Sequence, residues 1–106
     1  MPVPTITVHQ LAEALASPEP PQLLDVREAA EVAQSALPDI IHIPLMQLPD
    51  NLHLLRPETP VAIICRSGGR SAHATAFLLQ EGFTAANVSG GMLAWVEHID
   101  STQPQP

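Results

Sequence analysis

Apolar residues along this chain gather into short runs, separated by stretches whose apolar positions recur at helical spacing. Val61-Ala62-Ile63-Ile64 is the clearest run, four apolar residues without alternation, as expected of a strand buried on both faces. Residues 22–26 have the same character, interrupted by Asp25. Shorter strands are predicted at 6–8, 39–43 and 86–88. Between the first two strands Leu11, Ala14 and Leu15 share one helical face, and Ser17-Pro18-Glu19-Pro20-Pro21 stops that helix. A short helix is predicted over 28–34, with Arg27 and Glu31 at i,i+4 spacing. Residues 45–55 read as one or two helical turns bounded by Pro57 and Pro60. A longer helix is predicted over about 71–81, ended by Gly82. Gly90-Gly91 reads as a tight turn, and residues 92–97 as a last helix. Strands alternating with helices, each too apolar for a sheet edge, predict an α/β domain on a mainly parallel sheet.

Length places everything in one domain: 106 residues suit a single core, with the domain spanning 1–100 and residues 101–106 a frayed, disordered tail. Twelve prolines lie at the ends and between apolar runs, as punctuation. Net charge is −7, with no lysine; the cations are Arg27, Arg56, Arg66 and Arg70. Such a chain is poorly suited to phosphate backbones or anionic lipid, so neither nucleic acid nor membrane is expected as a partner. The single cysteine gives no internal disulfide, and the start lacks the basic and apolar stretches of a secretion signal. A cytoplasmic location is the expectation.

Against that acidic background, two of the four arginines fall within five positions of Cys65, in Cys65-Arg66-Ser67-Gly68-Gly69-Arg70-Ser71. A buried strand delivers Cys65 to the carboxyl edge of the sheet, where parallel α/β sheets bind ligands. A helix leaves a few residues later, and its first turn has amides without partners. Gly68 and Gly69 let the loop adopt positive φ, so several amides can converge as an anion nest on the Cys65 sulfur. Such surroundings favour an exposed thiolate over a thiol. Arg66 and Arg70 can grip an oxyanion, and Ser71 can cap the helix or donate to a bound sulfur. A cysteine serving only as a small packing residue has no need of two glycines and two arginines after it.

This loop resembles the active loop of the rhodanese family. Leu23-Leu24-Asp25-Val26-Arg27-Glu28 resembles that family's N-terminal signature, and Ile41-His42-Ile43-Pro44-Leu45 the segment that follows it. Val88-Ser89-Gly90-Gly91-Met92-Leu93-Ala94-Trp95 is similar to its C-terminal signature. The resemblance implies a five-stranded, largely parallel sheet with helices on both faces. It also implies a ping-pong sulfur transfer through a Cys65 persulfide, from thiosulfate or another small anionic donor to cyanide or a thiol. Protein donors or acceptors fit the same loop, and no metal or organic cofactor is expected. The chain departs from the family pattern at Ser35-Ala36-Leu37-Pro38-Asp39, where many members carry Gly-His-Ile-Pro-Gly.

Other residues read more plainly. Asp25 with Arg27 suggests a structural ion pair, and Trp95 with Met92 and Val96 a core stripe. His73 reads as solvated, and His9, His42, His53 and His98 have no paired spacing. Cysteine-dependent phosphatases and arsenate reductases use a similar nest, with five residues between cysteine and arginine. Here four intervene, which suits a single sulfur atom better than a tetrahedral oxyanion. A persulfide relay between protein partners is the other alternative, and its loop would look the same.

Overall fold

The computed structural model describes residues 2–106. Five strands, β1 (Thr5–Ile6), β2 (Gln22–Asp25), β3 (Ile41–His42), β4 (Val61–Ile64) and β5 (Ala85–Val88), form one sheet in the order β1-β5-β4-β2-β3. Every pairing is parallel. The helices are α1 (Val8–Leu15), α2 (Ala29–Gln34), α3 (Gly69–Gln80) and α4 (Gly91–His98), with two 3-10 turns at Leu45–Asp50 and Leu52–Leu54.

The central strand β4 shows why its run does not alternate. Val61 and Ile63 enter one core, with Leu24, Ala74 and Leu78, while Ala62 and Ile64 enter a second, with Leu11, Met92, Trp95 and Val96. Helix α3 covers the first face, and α1 packed on α4 covers the second. Successive strand side chains point to opposite faces, so a strand lying between two helical layers is apolar throughout. Cys65 continues this alternation onto the α3 face.

Several boundaries differ from the periodicity, each for a local reason. Thr7 and Val8 leave the expected first strand because Thr7 caps α1. Its hydroxyl accepts from the Gln10 amide, and the Gln10 side chain accepts from the Thr7 amide, at 3.0 and 2.8 Å. Helix α3 begins two residues early, at Gly69, because Gly68 caps it in the left-handed region. Its other end closes as expected at Gly82, where Gly82 and Phe83 amides bond back to Leu79 and Leu78 carbonyls. The strand expected over 39–43 shortens to β3, since Asp39, at φ 60, turns the chain.

Asp25 and Arg27 form the buried ion pair suggested by the sequence, both fully enclosed and 2.7 Å apart. The same guanidinium donates to the Ser35 carbonyl at 2.7 Å, tying the end of β2 to the far end of α2. Ser35 and Ala36 also meet the C-terminal segment expected to be frayed. Ser35 Oγ donates to the Gln103 side chain, which donates in turn to the Ala36 carbonyl, at 2.9 and 3.0 Å. Gln34 reaches the Gln105 carbonyl at 2.8 Å.

Candidate active site

The carboxyl edge of β4 hands the chain to a loop that folds around the Cys65 sulfur. The Gly68 amide donates to Sγ at 3.1 Å and the Ser71 hydroxyl lies 3.2 Å from it. The amides of Ser67 and Ser71 lie close enough to favour the charged form of this sulfur as well. Gly68 makes the turn possible with φ 112, a conformation that L side chains rarely adopt. The sulfur is a floor rather than a rim: Cys65 is 1 % exposed, against the exposed thiolate expected from the sequence. That depth follows from the alternation of β4, which aims Cys65 into the α3 core.

Burial pushes the Cys65 thiol up, yet the Ser71 hydroxyl and the amides of Ser71, Gly68 and Ser67 outweigh it and hold the group below its ordinary value of 9.0. Hydrogen bonds to the charged form favour that form. The arrangement can therefore keep an anionic sulfur in place without a neighbouring base.

What aims the amides lies outside the loop. Helix α4 starts against it, and the amides of Met92 and Leu93 donate to the carbonyls of Cys65 and Arg66 at 2.8 and 3.0 Å. In a trans peptide the carbonyl and the following N–H point opposite ways. Holding the Arg66 carbonyl toward α4 thus turns the Ser67 amide toward the sulfur. So close an approach requires Gly91, because a Cβ there would collide with the Cys65 and Arg66 carbonyl oxygens. The Gly90-Gly91 pair, read from sequence as a turn, is also the contact surface for the loop.

Asn87 on β5 was not singled out by the sequence. Its Oδ1 lies 2.5 Å from the Ser71 hydroxyl and its Nδ2 donates to the Gly68 carbonyl at 3.2 Å, so it braces both ends of the cradle. Its mark in the sequence is a polar residue on a buried strand, 7 % exposed. Ser71 lies inside α3, so of its two expected roles the donor to sulfur is the one the geometry supplies.

The arginines divide. Arg70 is paired with Glu31 at 2.6 and 2.8 Å. Glu31 therefore does not use its side chain on Arg27, whose guanidinium reaches the Glu31 backbone carbonyl instead at 3.4 Å. Arg66 is exposed, with Nε 3.4 Å from the Pro106 carbonyl. Ser67 and Gly69 are exposed on the loop's outer side. His73, His9, His53 and His98 are exposed, while His42 bonds the Arg27 carbonyl at 2.7 Å. Trp95 lies in the core. No group of three or more metal-ligating side chains occurs among the described residues.

A parallel sheet with helices on both faces, carrying one cysteine at its carboxyl edge under a ring of amides, defines a thiol-centred α/β domain. The rhodanese-like domain profile matches residues 7–98, and the chain belongs to that family. It is 37% identical over 94 residues to a sulfurtransferase of Allochromatium vinosum, covering 88% of each chain. It is also 37% identical to the putative sulfurtransferase YtwF of Bacillus subtilis, over 90% of this chain and 92% of the relative. Among solved structures, a rhodanese-like domain protein of Staphylococcus aureus superposes with a TM-score of 0.85 at 34% identity, over 97% of this chain and 98% of that one.

Proposed function

We propose that the protein is a sulfurtransferase that carries sulfane sulfur as a persulfide on Cys65. The donor is thiosulfate or a similar small anion, and the acceptor is cyanide or a thiol. The observation that carries this reading is the convergence of the Gly68 amide and the Ser71 hydroxyl on one sulfur, with the neighbouring Ser67 and Ser71 amides also favouring its charged form. In the first half-reaction the Cys65 thiolate attacks the outer sulfur of thiosulfate. The new S–S bond forms on Cys65 as the old one breaks, and sulfite leaves with the bonding electron pair. In the second, the acceptor attacks the outer sulfur and Cys65 departs as thiolate, its resting state. Dividing the transfer lowers each barrier. The loop donors stabilise the negative sulfur in both halves, as an oxyanion hole stabilises oxygen.

Replacing the nucleophile tests this. Cys65→Ala is expected to abolish thiosulfate:cyanide transfer while leaving circular dichroism and thermal unfolding close to wild type. Full activity in that variant overturns the mechanism. With four residues between Cys65 and Arg70, hydrolysis of an aryl phosphate is expected to be absent.

A further inference from the structure

Arg70 does not present a free charge to an incoming donor. Its terminal nitrogens donate to both oxygens of Glu31, fork to fork, at 2.6 and 2.8 Å. The pair is half-exposed, between α2 and the first turn of α3. Arg70 also feels the charge on Cys65, so it lies within electrostatic reach of whatever joins that sulfur. Glu28, at the start of α2, acts on Arg70 as well. The other loop cation, Arg66, is turned toward the Pro106 carbonyl. Arg70 thus faces two glutamates on a chain of net charge −7, and the positive charge that the sequence led one to expect from it beside Cys65 is offset.

We infer that Glu31 is a specificity-determining residue: by neutralising Arg70 it disfavours dianionic thiosulfate and favours sulfane donors bearing at most one negative charge, such as thiosulfonates and thiol-borne persulfides. The inference rests on Cys65 being the sulfur-accepting nucleophile. Its physical content is simple, since the energy between a fixed charge and a donor scales with the donor's charge. Removing the Glu31 charge should change the logarithm of the rate twice as much for a dianion as for a monoanion. A purely structural role for Glu31 predicts no such scaling. Methanethiosulfonate supplies the comparison: Cys65 thiolate attacks its outer sulfur, the S–S bond breaks, and methanesulfinate leaves with the electron pair.

Glu31→Gln removes the charge but keeps a carbonyl oxygen for Arg70 and for the Glu28 amide, which Glu31 accepts at 3.0 Å. Wild type and variant are assayed with each donor, cyanide as acceptor, at low ionic strength. Expected is a rise in kcat/KM of about tenfold for thiosulfate, mostly through KM, and of about threefold for methanethiosulfonate. Both gains should shrink with added salt. Arg70→Gln should move thiosulfate the opposite way. Equal gains for the two donors, no gain, or a loss overturns the inference while leaving sulfur transfer standing. If neither donor is turned over by the wild-type protein, the sulfurtransferase reading fails and this inference with it.

Discussion

Ser71 shows how much one hydroxyl decides. Its oxygen lies 3.2 Å from the Cys65 sulfur and 2.5 Å from Asn87 Oδ1, but it has a single hydrogen to give. With a thiolate or persulfide anion in the cradle, the hydrogen serves the sulfur; with a neutral thiol, it is free for Asn87. Ser71→Ala removes the donor that most strongly counters burial of the thiol. The pH profile of Cys65 alkylation by iodoacetamide should then move to higher pH, and an unchanged profile would deny the hydroxyl its role. Cys65 and its own loop were readable because they are contiguous: a strand, glycines and a helix start within seven residues. Asn87 was not, because a polar residue on a short strand carries no local mark of what the sheet places beside it.

At the scale of elements, the cradle is a contact between the β4–α3 loop and the start of α4. The amides of Met92 and Leu93 fix two loop carbonyls, and Gly91 leaves them room. Gly91→Ala, at φ 56 and with its Cβ against two carbonyl oxygens, should cost about 1–3 kcal/mol of stability. It should also slow transfer on the order of a hundredfold, because misaimed amides lose the sulfur. Denaturant unfolding and steady-state transfer check both; a stable, fully active variant contradicts the clamp. A second tether joins α2 to α3 through Glu31 and Arg70. The Arg70 guanidinium holds the Glu31 carboxyl down to about 2, against 4.5 for the free group. A carboxylate lowered on folding stabilises the native state fully above its unfolded value and loses that contribution as pH falls toward its folded one. Stability should therefore decline between about 4.5 and about 2, modestly for so exposed a pair. Glu31→Gln should flatten that part of the denaturant-midpoint profile. Glu31 lies 39 positions before Arg70, so sequence spacing linked it to Arg27 instead.

For the molecule as a whole, the strand order β1-β5-β4-β2-β3 does the assembling. It puts β4 between β2 and β5, so that the buried Asp25–Arg27 pair and Asn87 flank the Cys65 loop on its two sides. The presence of a parallel sheet followed from the alternating runs, because doubly covered strands are largely apolar. The contacts that depend on strand order did not, since periodicity names elements without their neighbours. Segment 101–106 illustrates the same limit: proline and polarity suggest a loose end, yet Gln103 pairs with Ser35 and Ala36, the stretch that departs from the family pattern. The account as a whole comes down to whether Cys65 carries sulfur, and intact mass spectrometry before and after incubation with a sulfane donor reads that directly. The mass should rise by one sulfur atom, return on adding cyanide, and stay unchanged in Cys65→Ala; no gain with any sulfane donor, or an equal gain in that variant, would contradict it.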